Sequence, residues 1–144
     1  MNSRIQRIIL SGIIGTAAMT VFATIAPMMG MPEMSPAKKI SAMLKLPLFI
    51  GWVMHFMMGI IFTFLYVILW ADHCKIKYKW LKGGIFGVMI FLIAQILMLI
   101  TQPMNNFDIM TVATMMGSLV GHIVFGIVVA MIMGNSCRTN KYCN

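Results

Sequence analysis

Residues 48–70 read LFIGWVMHFMMGIIFTFLYVILW, 23 positions without one Asp, Glu, Lys or Arg. About 20 apolar residues cross a hydrocarbon core roughly 30 Å thick as a helix, so this stretch is a membrane span rather than a buried core helix. Three further stretches share the property, and with it the charge-free segments are Ile8 to Pro32, Leu46 to Ala71, Gly83 to Phe107 and Ile109 to Cys137. They predict spanning helices over 8–28, 48–70, 83–101 and 109–133. The whole chain of 144 residues is then one all-α domain, an integral membrane four-helix bundle. Composition agrees: 60% of residues are hydrophobic and 10% charged, with a mean hydropathy of +0.92. A soluble domain is about 45–50% apolar and about 25% charged. This excludes a soluble enzyme, a disordered tail and a secreted disulfide scaffold.

The first span follows Arg4 and Arg7 as a secretory signal would. Its apolar run is longer than a signal core, and no A-x-A site closes it, so a permanent helix is expected. Basic residues set the orientation. Arg4, Arg7, Lys75, Lys77, Lys79, Lys82, Arg138 and Lys141 fall on one side of the four spans, and only Lys38, Lys39 and Lys45 on the other. Both termini are therefore expected in the cytoplasm. Cys74, Cys137 and Cys143 all lie on that reducing side, so no disulfide is expected. Trp52, Trp70 and Trp80 sit near span ends, as interfacial anchors do. The +8 charge is then orientation signal and attraction to anionic lipid, not nucleic-acid binding. The expected partners are the bilayer and other membrane subunits or a second copy.

Between the first two spans, Ser35 before Pro36 is an N-cap followed by proline at the first helical position. A short helix over 36–45 should lie on the outer membrane surface, with Ile40, Met43 and Leu44 on one face. In the third loop Asp108 is placed to cap the fourth span.

The chain also repeats itself. His55-Phe-Met-Met-Gly59-Ile-Ile in the second span corresponds to His122-Ile-Val-Phe-Gly126-Ile-Val in the fourth, and Gly12-Ile-Ile-Gly15 in the first to Gly84-Ile-Phe-Gly87 in the third, at separations of 67 to 72 residues. Two copies of a two-helix hairpin entering the membrane in the same direction are parallel repeats about an axis along the membrane normal.

Within the spans, Gly51, His55 and Gly59 are spaced i, i+4, i+8 and share a face, and Ser118, His122 and Gly126 repeat the stripe. An ionisable side chain at this depth is costly and faces the bundle interior. Three readings of the pair are open. The first is packing, in which small residues let helices approach and a histidine donates a hydrogen bond across the interface. The second is haem b held between His55 and His122, with Gly51, Gly59, Ser118 and Gly126 leaving room for the porphyrin. The third uses methionine: thirteen of the eighteen Met residues fall in the exported loops or the outer half of the bundle, and thioethers select Cu(I). Met54, His55, Met58, Met115, Met116 and His122 are its candidate ligands.

Weaker signals surround these. Thr16, Thr20 and Thr24 line one face of the first span, and Gln95 is a candidate for interhelical hydrogen bonding. His73, Cys74, Cys137 and Cys143 match no zinc spacing. The acids Glu33, Asp72 and Asp108 all fall in loops, so hydrolysis and proton-coupled transport lack their usual residues. The expectation is a binding or accessory protein with no catalytic activity.

Taken in order, Gly12-Ile-Ile-Gly15-Thr16-Ala-Ala-Met19-Thr20, Pro27-Met-Met-Gly30-Met-Pro32, Gly51-Trp52-Val-Met-His55-Phe-Met-Met-Gly59 and Gly121-His122-Ile-Val-Phe-Gly126 resemble an uncharacterised family of small four-helix bacterial membrane proteins of unknown function. The resemblance runs from Gly12 to Met133. It implies a bacterial inner-membrane location and singles out Gly51, Trp52, His55, Gly59, His122 and Gly126. It implies no activity.

Overall fold

A computed structural model describes residues 3–71, 76–101 and 109–133. In chain order its helices are α1 (Ser3–Ile25), α2 (Pro36–Leu44), α3 (Leu48–Leu65), α4 (Lys79–Thr101) and α5 (Ile109–Met133), and no strand occurs among the described residues. Four of them, all but α2, are long and apolar enough to cross a membrane. The chain is a multi-pass membrane protein. Its outward faces fit that solvent: Val53, Met57, Ile61 and Phe64 on α3 and Leu92, Ile96, Leu99 and Ile100 on α4 are exposed, an apolar belt suited to hydrocarbon and not to water.

Helices α1 and α4 begin earlier than the apolar runs predict, because Arg4, Arg7, Lys79 and Lys82 are accommodated within their first turns. Long basic side chains reach the interface from inside a helix, so a charge does not end it. The second span runs to Trp70 as expected, but its last five residues form a π turn, Tyr66–Trp70. There the Ala71 N–H donates to the Tyr66 carbonyl at 2.7 Å. The wider turn puts consecutive residues Tyr66 and Val67 inside and lets the Trp70 indole donate to the Lys82 carbonyl at 3.2 Å. After α1 a 3-10 turn, Ala26–Met29, closes on Gly30 at φ 85°, a conformation that suits glycine.

Ser35 caps α2 as the sequence predicts, its hydroxyl accepting from the Lys38 N–H. The helix does not lie apolar face down on the lipid, however. Its Ala37 carbonyl stands where a Cβ on Gly51 would be, at 2.3 Å, so α2 is seated on α3, and Ile40 and Met43 turn inward over a cavity. Leu44 remains exposed.

The two hairpins α1–α3 and α4–α5 each close on one glycine. A Cβ on Gly59 would meet Thr16 Oγ1 at 1.8 Å and the Gly12 carbonyl at 3.3 Å, and a Cβ on Gly126 would meet the Gly83 carbonyl at 2.2 Å and the Gly87 nitrogen at 2.8 Å. The repeat therefore pairs Gly12 with Gly83 and Thr16 with Gly87. This is one residue off the Gly12-to-Gly84 register read from the sequence, and Gly84 itself faces little, its nearest neighbour being Ile123 at 4.0 Å.

In this register the symmetry breaks for a steric reason. Helix α1 packs against α5 because Gly15 admits Phe125 and Val129, each 3.0 Å from where its Cβ would be, while Gly121 receives Met19 and Gly117 receives Met34. The equivalents on the other pair are Phe86 for Gly15, and Ile50 and Met54 for Gly117 and Gly121. Phe86 stands edge-on to Tyr66 at 5.0 Å and 6.2 Å from Trp70, holding α4 and the second span together at the end opposite α2. Toward the α2 end a cavity lies between them. The apolar core, with Ile8, Tyr66, Phe86, Val129 and Met133, fills the end opposite α2.

Candidate functional site

His55 lies on the buried face of α3 in one line with Gly51, Gly59 and Thr63. Its ring is flanked edge-on by Trp52 at 6.3 Å and Phe56 at 6.0 Å. Its Nε2 is 3.3 Å from Thr20 Oγ1. That hydroxyl donates to the Thr16 carbonyl at 2.8 Å, so its one proton is used and its oxygen accepts from His55 Nε2–H. In the neutral ring the lone pair is then on Nδ1.

His122 takes the other tautomer. Its Nδ1–H donates to the Ser118 carbonyl one turn back on α5, at 2.7 Å, with the Ser118 hydroxyl 3.5 Å away. The lone pair is then on Nε2. Where Thr20 stands against His55, the equivalent residue against His122 is Phe91, edge-on at 5.9 Å. Each imidazole spends its N–H on the bundle and keeps one acceptor nitrogen, the arrangement that orients a histidine for a ligand or metal.

Both rings line one cavity of about 340 Å³ toward the α2 end, at the lower end of small-ligand sites, which are roughly 300–1,000 Å³. Its polar wall includes His55, His122, Ser118, Gln95, Lys39 and Thr16; methionines 19, 34, 43, 58 and 98 and three phenylalanines supply its largest apolar side chains. Gln95 makes no interhelical hydrogen bond among the described residues and instead faces this space.

The sequence-predicted residues divide. His55, His122, Ser118, Met58 and Gly59 line the cavity, whereas Met54, Met115 and Met116 do not; Met116 is 56% exposed on the outer face of α5. Gly51, Gly59 and Gly126 serve as contact points for Ala37, Thr16 and Gly83. Met19, Met34, Met43, Met98 and Lys39 were not foreseen as cavity residues. The glycine pair Gly117 and Gly121, one turn apart, is the signal for two of them, since it makes the hollows that Met34 and Met19 fill. Among the described residues no three His, Cys, Asp or Glu side chains gather as a metal site. His73, Cys74, Cys137, Cys143 and the Asp108 cap lie outside the described residues.

A family model described as a family of unknown function, DUF6789, matches residues 3–141. The chain belongs to this family. No curated protein and no solved structure matches it. Membership in DUF6789 agrees with the resemblance carried by the glycine and histidine motifs and brings no activity with it. The four spans, the repeated hairpin and the histidine-lined cavity are therefore what bears on function in this DUF6789 chain.

Proposed function

We propose that this is a non-enzymatic binding protein of the bacterial inner membrane, with both termini cytoplasmic, that holds its ligand between α3 and α5 around His55 and His122. The observation that carries the reading is that two imidazoles from equivalent positions of the repeat line a single cavity, each with an acceptor nitrogen unspent among the described residues. A histidine serving only to join helices would spend that capacity on a neighbouring helix, as His55 does in part through Thr20. The test is extraction and mass spectrometry of whatever co-purifies with the wild type and with the His55→Ala/His122→Ala double variant. A component present in the first and absent from the second is expected; identical extracts overturn the reading.

Cu(I) is the second reading, favoured by the five thioethers that share the cavity with the two imidazoles. Such soft donors with imidazole suit Cu(I). Metal analysis after anaerobic loading tests it, and equal copper content in wild type and double variant would sink it. Haem b draws less support. Three of the four small residues placed beside a porphyrin, Gly51, Gly59 and Gly126, are pressed against Ala37, Thr16 and Gly83, so a macrocycle would enter only by moving helices apart. A Soret band in protein expressed with haem supply is the outcome that would restore it.

A further inference from the structure

We propose that the cavity takes one single-chain amphiphile, its carboxylate or phosphate head on the Lys39 ammonium and its chain along the methionine and phenylalanine wall between α3 and α4. The proposal rests on the binding reading above and names the ligand class of the same site.

Access comes first. Ile93 and Leu97 line the cavity and are also 51% and 46% exposed, so the wall of the cavity continues onto the face that meets lipid. Phe86 keeps α4 and the second span in contact at the other end, so the gap opens toward α2, where lipid head groups lie. An acyl chain can enter sideways without crossing water.

The wall chemistry suits a flexible chain. Thioethers and phenyl rings from all five helices form it, and methionine adapts its shape to an irregular apolar guest. A volume of about 340 Å³ matches the lower end of small-ligand sites, which favours one chain over a two-chain lipid. A bare metal ion needs far less space, a single water's share of liquid being about 30 Å³.

The charge at the mouth selects the head. Glu33 is the only acid among the described residues, and it pairs with Lys38. Lys39, the next residue, lines the cavity instead. Partial burial by itself pushes its ammonium below the ordinary lysine value, so an anionic head in contact with it is favoured in return. Gln95 adds an amide that makes no hydrogen bond among the described residues to the same wall, and its N–H groups can donate to the head or its linkage.

The test is native mass spectrometry of the full chain released from a neutral maltoside detergent, titrated with palmitate, methyl palmitate and palmitoyl lysophosphatidate. Wild type should take one equivalent of a charged amphiphile. Lys39→Gln should weaken it at least about tenfold, the size of one lost charge-assisted contact, and leave methyl palmitate unchanged. Arg7→Gln, a cation at the opposite end, should change nothing. Whichever of palmitate and lysophosphatidate binds more tightly identifies the head, and either upholds the proposal. Ala94→Phe fills the cavity from α4 and should abolish all binding; Leu97→Trp serves if that variant does not fold.

Equal binding of the charged probes by wild type and Lys39→Gln overturns the proposal. If cavity filling still abolishes binding in that case, the cavity reading survives it. Binding unaffected by either filling variant or by His55→Ala/His122→Ala overturns both. Uptake of Cu(I) with no uptake of any amphiphile overturns this proposal in favour of the soft-metal reading.

Discussion

In the α4–α5 hairpin glycine meets glycine: Gly126 is pressed against the backbone of Gly83 and Gly87. In the α1–α3 hairpin the same joint sets Gly59 against a threonine side chain, Thr16, whose hydroxyl is tied to the Gly12 carbonyl at 2.8 Å. The difference continues one turn along, where Phe91 covers His122 and Thr20 bonds His55. One copy is thus a backbone-to-backbone clasp, and the other meets backbone to backbone at Gly12, whose Cβ position is 2.8 Å from the Ile60 Cα, but sets hydroxyls into the rest of the joint. In a lipid solvent the hydrophobic effect does not drive helices together, so close van der Waals approach and interhelical hydrogen bonds have to. Each copy relies more on one of these two means.

The comparison can be broken most directly at Gly126. Gly126→Val puts side-chain atoms into the Gly83 carbonyl and should cost about 3 kcal/mol or more, above the usual range for overpacking because backbone has to move; thermal unfolding in micelles followed by circular dichroism measures it. Next is the pair Gly83→Ala and Gly84→Ala. The first meets the Gly126 carbonyl at 2.3 Å and should destabilise by about 2 kcal/mol. The second meets only the Ile123 side chain, at 4.0 Å, and should stabilise by up to about 1 kcal/mol through helix propensity. Opposite signs at adjacent positions confirm the structural register of the repeat, and the reverse pattern would restore the register read from the sequence.

Gly59→Ala should be milder than its counterpart, about 1–2 kcal/mol, since a threonine rotamer and not a backbone must give way. Adding Thr16→Ala should recover most of that loss. A double variant no better than Gly59→Ala would show that the two joints are alike. The smallest effect is expected from Thr20→Val, which removes the His55 hydrogen bond at roughly 0.6 kcal/mol, the average for such bonds between membrane helices. The Nε2–H of His55 then loses its acceptor, and a changed 15N imidazole spectrum checks this independently of stability.

Much of this was legible in the chain. The spans, the Ser35 cap and the equivalence of His55 and His122 follow from charge-free length, local capping chemistry and matched motifs, and each depends on residues near one another in sequence. The stripe around His55 also points inward as its spacing requires. What the stripe faces was not legible. A glycine beside a histidine reads equally as room for a cofactor or as a seat for a helix, and only the partner helix decides between them. The same limit applies to the methionines. Met54 and Met58 share a face of α3 one turn apart, yet only Met58 reaches the cavity, because where the cavity lies along that face is set by the packing of the neighbouring helices and not by α3's own sequence.

By itself, then, the sequence determined that this protein crosses a membrane four times as a doubled hairpin and buries a histidine in each copy. Hydrocarbon thickness and the cost of an intramembrane charge leave no other arrangement for such segments. The tertiary structure decided that the two copies are not equivalent. Small residues at Gly15 and Gly121 let α1 and α5 meet, with Met34 seated on Gly117, whereas the matching places on the other pair hold Ile50, Met54 and Phe86, the last joining α4 to the second span only at the end opposite α2. That inequality in side-chain volume, between segments more than 30 residues apart, is what leaves both histidines facing a cavity rather than each other's helix.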